Sequence, residues 1–400
     1  MSLFASIEMA PGDPILGLVE TYNADPRPDK INLGIGIYLD ESGRIPLLDT
    51  VREVEQALAQ AAAPRSYLPI DGMPAYNQLT QQLLFGVGVP VLAAGRVATA
   101  QTIGGSAALR VGADVLRQTL GAGAQVAISE PSWGNHQAVF AAAGFEISRY
   151  RYFNPSNHGL DFAGMLEDLG QLDAGSVVLL HACCHNPTGV DLDAGQWAKV
   201  IDLVHDHDLL PFVDMAYQGF DQGLDADALV LRLLADSPLK AFVVSNSYSK
   251  SFSLYGERVG ALSMVGADRD EAARLLSKIK QVIRTIYSSP ATHGAALVAG
   301  VLGNPPLRAR WEAELAVMRS RIHAMRAGFV QALAAHGAPQ FGFINDQAGM
   351  FSYSGLSLEQ VRRLRDEFAI YALDSGRICV AALNSGNLDT VAAAVAAVSR

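Results

Sequence analysis

Lys250 stands among Ser245, Ser247, Ser249, Ser251 and Ser253, and Lys30, Lys199, Lys240, Lys278 and Lys280 are the only other lysines of the chain. Arg258 follows it, between Glu257 and the small pair Val259-Gly260. An amine crowded by hydroxyls and close to an arginine can act as a covalent nucleophile beside an anion site. Alone, the run favours a solvated loop lysine, so partners have to come from elsewhere in the chain.

Five further patterns could supply them. Gln101-Thr102-Ile103-Gly104-Gly105-Ser106 reads as a strand end and glycine turn opening a helix, where free backbone N–H groups bind phosphate. The stricter G-x-G-x-x-G spacing is absent, so a mononucleotide-sized phosphate or a plain tight turn are the two readings. Asp214, at the end of the apolar run Pro211-Phe212-Val213, would face a ligand crevice, with Tyr217 just beyond it. Such a carboxylate can meet a ribose, a metal or a ring N–H⁺, or simply cap a helix; His136 is a candidate to keep it ionised. His181-Ala182-Cys183-Cys184-His185-Asn186-Pro187-Thr188-Gly189 is a rigid polar turn that fixes the Asn186 amide, with the cysteines expected as small buried hydrophobes. Trp133, in Pro131-Ser132-Trp133-Gly134-Asn135-His136, could stack on a planar ring or serve the core. Arg284 and Arg377 could each clamp a carboxylate. The histidines form no set with zinc-ligand spacing, so no metal is expected.

The elements that must position these residues follow from the apolar pattern. Val97–Thr102, Gln125–Ser129, Phe145–Arg151, Ser176–His181, Leu210–Asp214, Ala241–Ser245 and Gly260–Val265 read as strands alternating with helices, the pattern of a doubly wound α/β sheet. Upstream, an amphipathic piece around Ile15–Val19 precedes Asn32–Tyr38, half strand and half glycine turn. Val51–Ala62 and Tyr76–Phe85 read as helices. Leu307, Trp311, Leu315, Met318, Ile322, Met325, Phe329 and Leu333 mark one face of a long helix, about residues 306–336, started by Pro305-Pro306 and ended by Gly337. Short strands in GMFSYSG and GRICVA and helices at Leu358–Phe368 and Leu388–Val398 complete a small α/β unit.

The chain of 400 residues is half hydrophobic, 18% charged, and carries a formal net charge of -10, which suits a large soluble core and argues against a nucleic-acid partner. Three cysteines, two of them adjacent, make no disulfide framework, so a reducing, cytoplasmic compartment is expected. The start of the chain does not read as a signal peptide, and the uncharged stretch from Thr285 to Leu307 is too rich in proline and glycine for a membrane span.

Together, SNSYSKSFSLYGERVG, HNPTG, DMAYQGF, PSWGNH, DPILGL and KINLGIGIY resemble the class I aminotransferases of the aspartate/aromatic branch, in order and over nearly the whole chain. The resemblance implies the type I pyridoxal-phosphate-dependent transferase fold: a large domain, 46–310, with a mostly parallel seven-stranded sheet, and a small α/β domain, 1–45 with 311–400, bridged by the long helix. It implies pyridoxal 5'-phosphate (PLP) as cofactor and a homodimer. Lys250 would hold the cofactor covalently and move the proton. Asp214 would pair with the ring nitrogen, supported by His136. Asn186 and Tyr217 would hydrogen-bond the ring oxygen, and Trp133 would stack on the ring. Gly105, Ser106, Ser247, Ser249 and Arg258 would hold the phosphate, joined by Tyr67 of the other subunit. Arg377 would clamp the substrate α-carboxylate with help from Asn186 and Gly36, and Arg284 of the other subunit would meet a side-chain carboxylate.

Within that branch, Ile37, Leu39, Ile45, Ser106 and Ser289 give an apolar or small pocket edge similar to the aromatic type. Ile286 and Ser289 stand where dicarboxylate enzymes tend to carry asparagines. The expected activity is ping-pong transfer of the amino group of phenylalanine, tyrosine and aspartate to 2-oxoglutarate, with a mainly dicarboxylic aspartate aminotransferase as the alternative. A lyase using the same cofactor would have less reason to keep both Arg284 and Arg377, and ammonia release would reveal it. A sensor on this fold would need a basic DNA-binding module.

Overall fold

The structure, a computed structural model, describes residues 2–9 and 16–400. Asp13, Pro14 and Ile15 of the DPILGL motif lie outside the described residues, and the amphipathic piece read there continues as a helix, Leu16–Ala24.

All seven expected strands form one sheet. They are β1 (Val97–Ile103), β2 (Gln125–Glu130), β3 (Glu146–Arg151), β4 (Val177–His181), β5 (Leu210–Met215), β6 (Phe242–Ser247) and β7 (Val259–Val265). Their spatial order is β1-β7-β6-β5-β4-β2-β3, and only β7 runs antiparallel to its neighbours. Parallel strands buried on both faces read as unbroken apolar runs, and β4 (Val177-Val178-Leu179-Leu180-His181) is buried at every position. Its alternate residues enter different cores: Val177 and Leu179 pack with Phe212, Val243 and Leu262, while Val178 and Leu180 pack with Val213, Met215 and Val244.

The long helix spans Pro305–Ala335, starts at Asn304, whose side chain accepts from Leu307 N, and carries proline at its first position. It packs on both His293–Leu302 and Leu388–Val398. Trp311, fully buried on it, donates Nε1–H to Ser251 O at 2.8 Å and stacks on Phe252 at 4.5 Å, which ties the helix to the lysine loop. The first and last parts of the chain meet where Ile31–Asn32 pairs in parallel with Ile370–Tyr371. The strand expected over Asn32–Tyr38 is limited to Ile31–Asn32, because Asn32 Oδ1 accepts from Gly34 N and Ile35 N and turns the chain away. Helix Asp49–Ala61 ends with Ala62 in the left-handed region, before Pro64 rather than at it. Helices Arg269–Ile286 and His293–Leu302 were not expected from the apolar pattern.

Candidate active site

Because β1, β2, β4, β5 and β6 run in one direction, their carboxyl ends share one edge of the sheet, and antiparallel β7 begins there. Each polar turn singled out in the sequence leaves from this edge, where α/β sheets bind ligands. Gly105 and Ser106 follow β1, Trp133 follows β2, Asn186 follows β4, Asp214 and Tyr217 end and follow β5, Ser247, Ser249 and Lys250 end and follow β6, and Arg258 precedes β7. All of these residues, with Gly36, Leu109, His181, Ala216, Phe351 and Arg377, line one cavity of about 240 Å³.

Asp214 sits at the floor of the cavity, opposite His181 and Ser245 in the strand register. Ser245 donates Oγ–H to Oδ1 at 2.7 Å, and His136 Nε2 donates to Oδ2 at 3.1 Å. Burial opposes the charge on this carboxylate, but His136, through its hydrogen bond and its electrostatic influence, with smaller contributions from His181 and Ser245, outweighs it and holds its pKa below the usual carboxylate value. Ser132 Oγ lies 3.0 Å from His136 Nδ1 and 3.2 Å from His181 Nε2, and Asn186 N–H points at His181 Nδ1 from 3.5 Å. Burial pushes His181 down to about 3, so its ring is neutral and carries one proton. One pattern gives every donor an acceptor: Asn186 to His181, His181 Nε2–H to Ser132, Ser132 to His136, and His136 Nε2–H to Asp214.

Lys250 opens onto the same cavity, with Nζ 4.9 Å from the centroid of the Tyr217 ring. Burial, reinforced by the positive charges of Arg258 and Arg377 and partly offset by Asp214, pushes its amine down to about 8. A good fraction is thus a neutral nucleophile near pH 8. Burial also pushes the Tyr217 phenol well up, keeping it a hydrogen-bond donor.

Beside the lysine lies a cradle for an anion. Gly104 takes φ of 88°, and a Cβ there would come within 2.5 Å of the Arg258 guanidinium. A Cβ on Gly260 would fall 2.6 Å from the Gly104 carbonyl carbon. No side chain caps helix Gly105–Leu120, so its first N–H groups stay free for a ligand. Arg258 Nη1 reaches Tyr255 O at 3.1 Å and Ser249 Oγ at 3.5 Å and has no carboxylate partner among the described residues. Bare backbone, hydroxyls and an unneutralised guanidinium together suit a phosphate.

Arg377 closes the other end. It is buried, donates Nη1–H to Asn186 Oδ1 at 3.0 Å and Nη2–H to Gly34 O at 2.7 Å, and its Nε has no partner. Burial lowers its pKa from the ordinary value. A buried guanidinium with no acid beside it favours an incoming carboxylate.

Other expected site residues lie elsewhere. Tyr67 is 93% exposed, and with Ser289, Ser288, Tyr287 and Ile103 it lines a separate cavity of about 800 Å³. Arg284 is exposed on the last turn of helix Arg269–Ile286 and donates to Ser288 Oγ. Ile37 and Leu39 are half-buried beside Gly36, Ile45 is 46% exposed, and none of the three lines the lysine cavity. The sequence reading missed Leu109, His181 and Phe351 as lining residues and Ser132 and Ser245 as partners of the Asp214 network. For Ser132 and His181 the signal was present, since both sit at strand ends within motifs already chosen. Cys183, Cys184 and Cys379 are free and buried, with Cys183 Sγ against Met215 Sδ at 3.9 Å. Among the described residues, no group of three or more His, Cys, Asp or Glu is placed to hold a metal ion.

Residues 28–395 match the family model described as aminotransferase class I and II. The chain is 58% identical to an aspartate aminotransferase of Pseudomonas aeruginosa, over 99% of both chains. It is 48% identical to an aromatic-amino-acid aminotransferase of Escherichia coli, over 99% of this chain and 100% of the other. The structure superposes with a TM-score of 0.97 on an aromatic-amino-acid aminotransferase from Burkholderia pseudomallei that is covalently bound to pyridoxal phosphate; the two are 58% identical and each is covered in full.

Proposed function

The chain belongs to the class I and II aminotransferases, and from that membership we propose that it moves the amino group of aromatic L-amino acids, and of aspartate, to 2-oxoglutarate with pyridoxal phosphate as cofactor. One observation carries this reading: the Lys250 amine, the Asp214 carboxylate and the Arg377 guanidinium open onto the same cavity.

The residues present fit the cofactor. The Gly104 turn, which a Cβ would fill, and the unpartnered Arg258 suit its phosphate, with Gly105, Ser106, Ser247 and Ser249 alongside. Trp133 would cover one face of the ring, and Asn186 and Tyr217 would donate to its oxygen. When bound to Lys250, pyridoxal phosphate supplies an electron-withdrawing ring that stabilises the charge left when an amino acid loses its Cα proton. Asp214 holds a proton on the ring nitrogen, because an ionised carboxylate favours the charged form of its partner. Freed from the cofactor by the substrate amine, Lys250 Nζ would take the Cα proton and deliver it to the cofactor carbon that had held the lysine, a task suited to an amine titrating near 8. Arg377 orients the substrate through its α-carboxylate.

Tyr67 and Arg284 belong, in this reading, to the site of a second copy of the chain. What supports it is that both are exposed and neither lines its own lysine cavity. The division into 46–310 and 1–45 with 311–400 is part of the same proposal, supported by the pairing of Ile31–Asn32 with Ile370–Tyr371. So is a cytoplasmic location, which suits three free cysteines. No helix among the described residues is long and apolar enough to cross a membrane.

Aromatic preference rests on apolar surface. Leu109 and Trp133 line the cavity, and covering a phenyl ring contributes roughly 25 cal/mol per Å². The identity to the P. aeruginosa aspartate aminotransferase favours the second reading, a mainly dicarboxylic enzyme. A substrate scan with 2-oxoglutarate as acceptor separates them. Turnover of phenylalanine and tyrosine is expected, whereas efficient turnover of aspartate with both aromatics inert would overturn the proposal.

A further inference from the structure

Strand Phe351–Tyr353 pairs antiparallel with Arg377–Cys379, with Phe351 opposite Cys379 and Tyr353 opposite Arg377. Opposed residues share a face, so Phe351 and Arg377 are diagonal neighbours, close enough for an aromatic and a long side chain to meet. They do meet: Arg377 Cζ lies 4.0 Å from the centroid of the Phe351 ring. Both side chains are buried, and no carboxylate among the described residues pairs with Arg377. The ring face thus brings negative potential over the plane of this guanidinium, in a desolvated place where such contacts are strongest.

The ring is itself fixed from behind. Arg326, buried on the long helix, donates Nη2–H to Phe351 O at 3.1 Å and to Gly349 O, and Nη1–H to Ser352 Oγ at 2.5 Å and to Ile344 O at 3.4 Å. One side chain thus holds the start of the short strand that carries the ring, together with the Ser352 hydroxyl and the segment leading into it. The Tyr217 ring meets Phe351 edge-on, with centroids 5.9 Å apart, and restrains it from the side of the lysine.

We propose that Phe351 is a positioning residue for carboxylate recognition, its ring holding the Arg377 guanidinium in plane for the substrate while Arg326 anchors the ring to the long helix. The proposal rests on the reading that Arg377 receives the α-carboxylate.

The test uses the PLP-loaded enzyme and two unreactive carboxylates, 3-phenylpropionate and maleate, titrated by the change in cofactor absorbance. Phe351→Leu is expected to raise Kd for both ligands equally, roughly tenfold, and KM in parallel, with kcat little changed. Phe351→Met, measured alongside in case the leucine variant does not fold, gives the same loss, and Phe351→Tyr, which keeps the π face, restores binding. In an Arg377→Gln background, Phe351→Leu adds no further loss. Unchanged Kd in both the Leu and Met variants overturns the proposal. So does a loss confined to 3-phenylpropionate, or one that persists without Arg377, since either means the ring touches the ligand directly. If Arg377→Gln alone leaves carboxylate binding intact, the reading beneath the proposal fails instead.

Discussion

His136 Nε2 lies 3.1 Å from Asp214 Oδ2 deep inside the protein, at the end of a chain of donors that begins at the backbone of Asn186. The arrangement leaves Asp214 ionised although it is buried, which is the electrostatic requirement for holding a proton on a ring nitrogen. Asp214→Asn keeps the shape and removes the charge. It should cost on the order of 10²–10³ in kcat, the cost of losing one preorganised electrostatic contact. His136→Gln should cost less, because Ser245 still donates to the carboxylate. Steady-state kinetics of the two variants checks the order, and equal losses would contradict it.

The phosphate cradle gives a prediction that separates charge from shape. Arg258→Ala should weaken pyridoxal phosphate roughly 10–100-fold, the effect of losing hydrogen bonds to a charged group. Binding of pyridoxal, which lacks the phosphate, should hardly move. Equilibrium titration of the cofactor-free protein with each compound makes the comparison.

Loading of the cofactor should also depend on pH in a defined direction. The nucleophile is the neutral Lys250 amine, and burial pushes its pKa down to about 8. The rate of covalent attachment should rise as pH climbs through about 8 and level off above it, rather than rising toward the ordinary lysine value. Asp214 raises the Lys250 pKa, so Asp214→Asn should move the inflection to lower pH. A stopped-flow absorbance profile of both proteins shows the sign.

Trp311 joins the long helix to the lysine loop through Ser251 O and Phe252. Trp311→Ala should cost about 3–5 kcal/mol of stability. It should also loosen Lys250, visible as a lower denaturation midpoint together with weaker cofactor retention.

Much of this site could be read in the sequence because most of its turns follow a buried strand of the main sheet. Runs such as Val177–Leu180 and Phe242–Val244 announce their strands, and the polar residues after them then fall on one edge by topology alone. Sequence order could not show which cavity a residue faces. Ile37, Leu39 and Ile45 were expected at the pocket edge, yet only their neighbour Gly36 lines the lysine cavity, while Ser289 joins Tyr67 elsewhere. The contact of Phe351 with Arg377 depends on the register of two short strands separated by a helix, and no local pattern encodes that register. Helix Arg269–Ile286 escaped notice because its many charges face solvent and only Ala272, Ile279, Val282 and Ile283 are buried.

The most direct test of the account is the Lys250→Ala variant, mixed with pyridoxal phosphate and assayed for amino transfer from phenylalanine, tyrosine and aspartate to 2-oxoglutarate. The account predicts a protein that folds, acquires no covalent cofactor by intact mass after borohydride reduction, and transfers no amino group to 2-oxoglutarate in sustained turnover. A variant that still carries reducible cofactor, or still turns over at the wild-type rate, would contradict it.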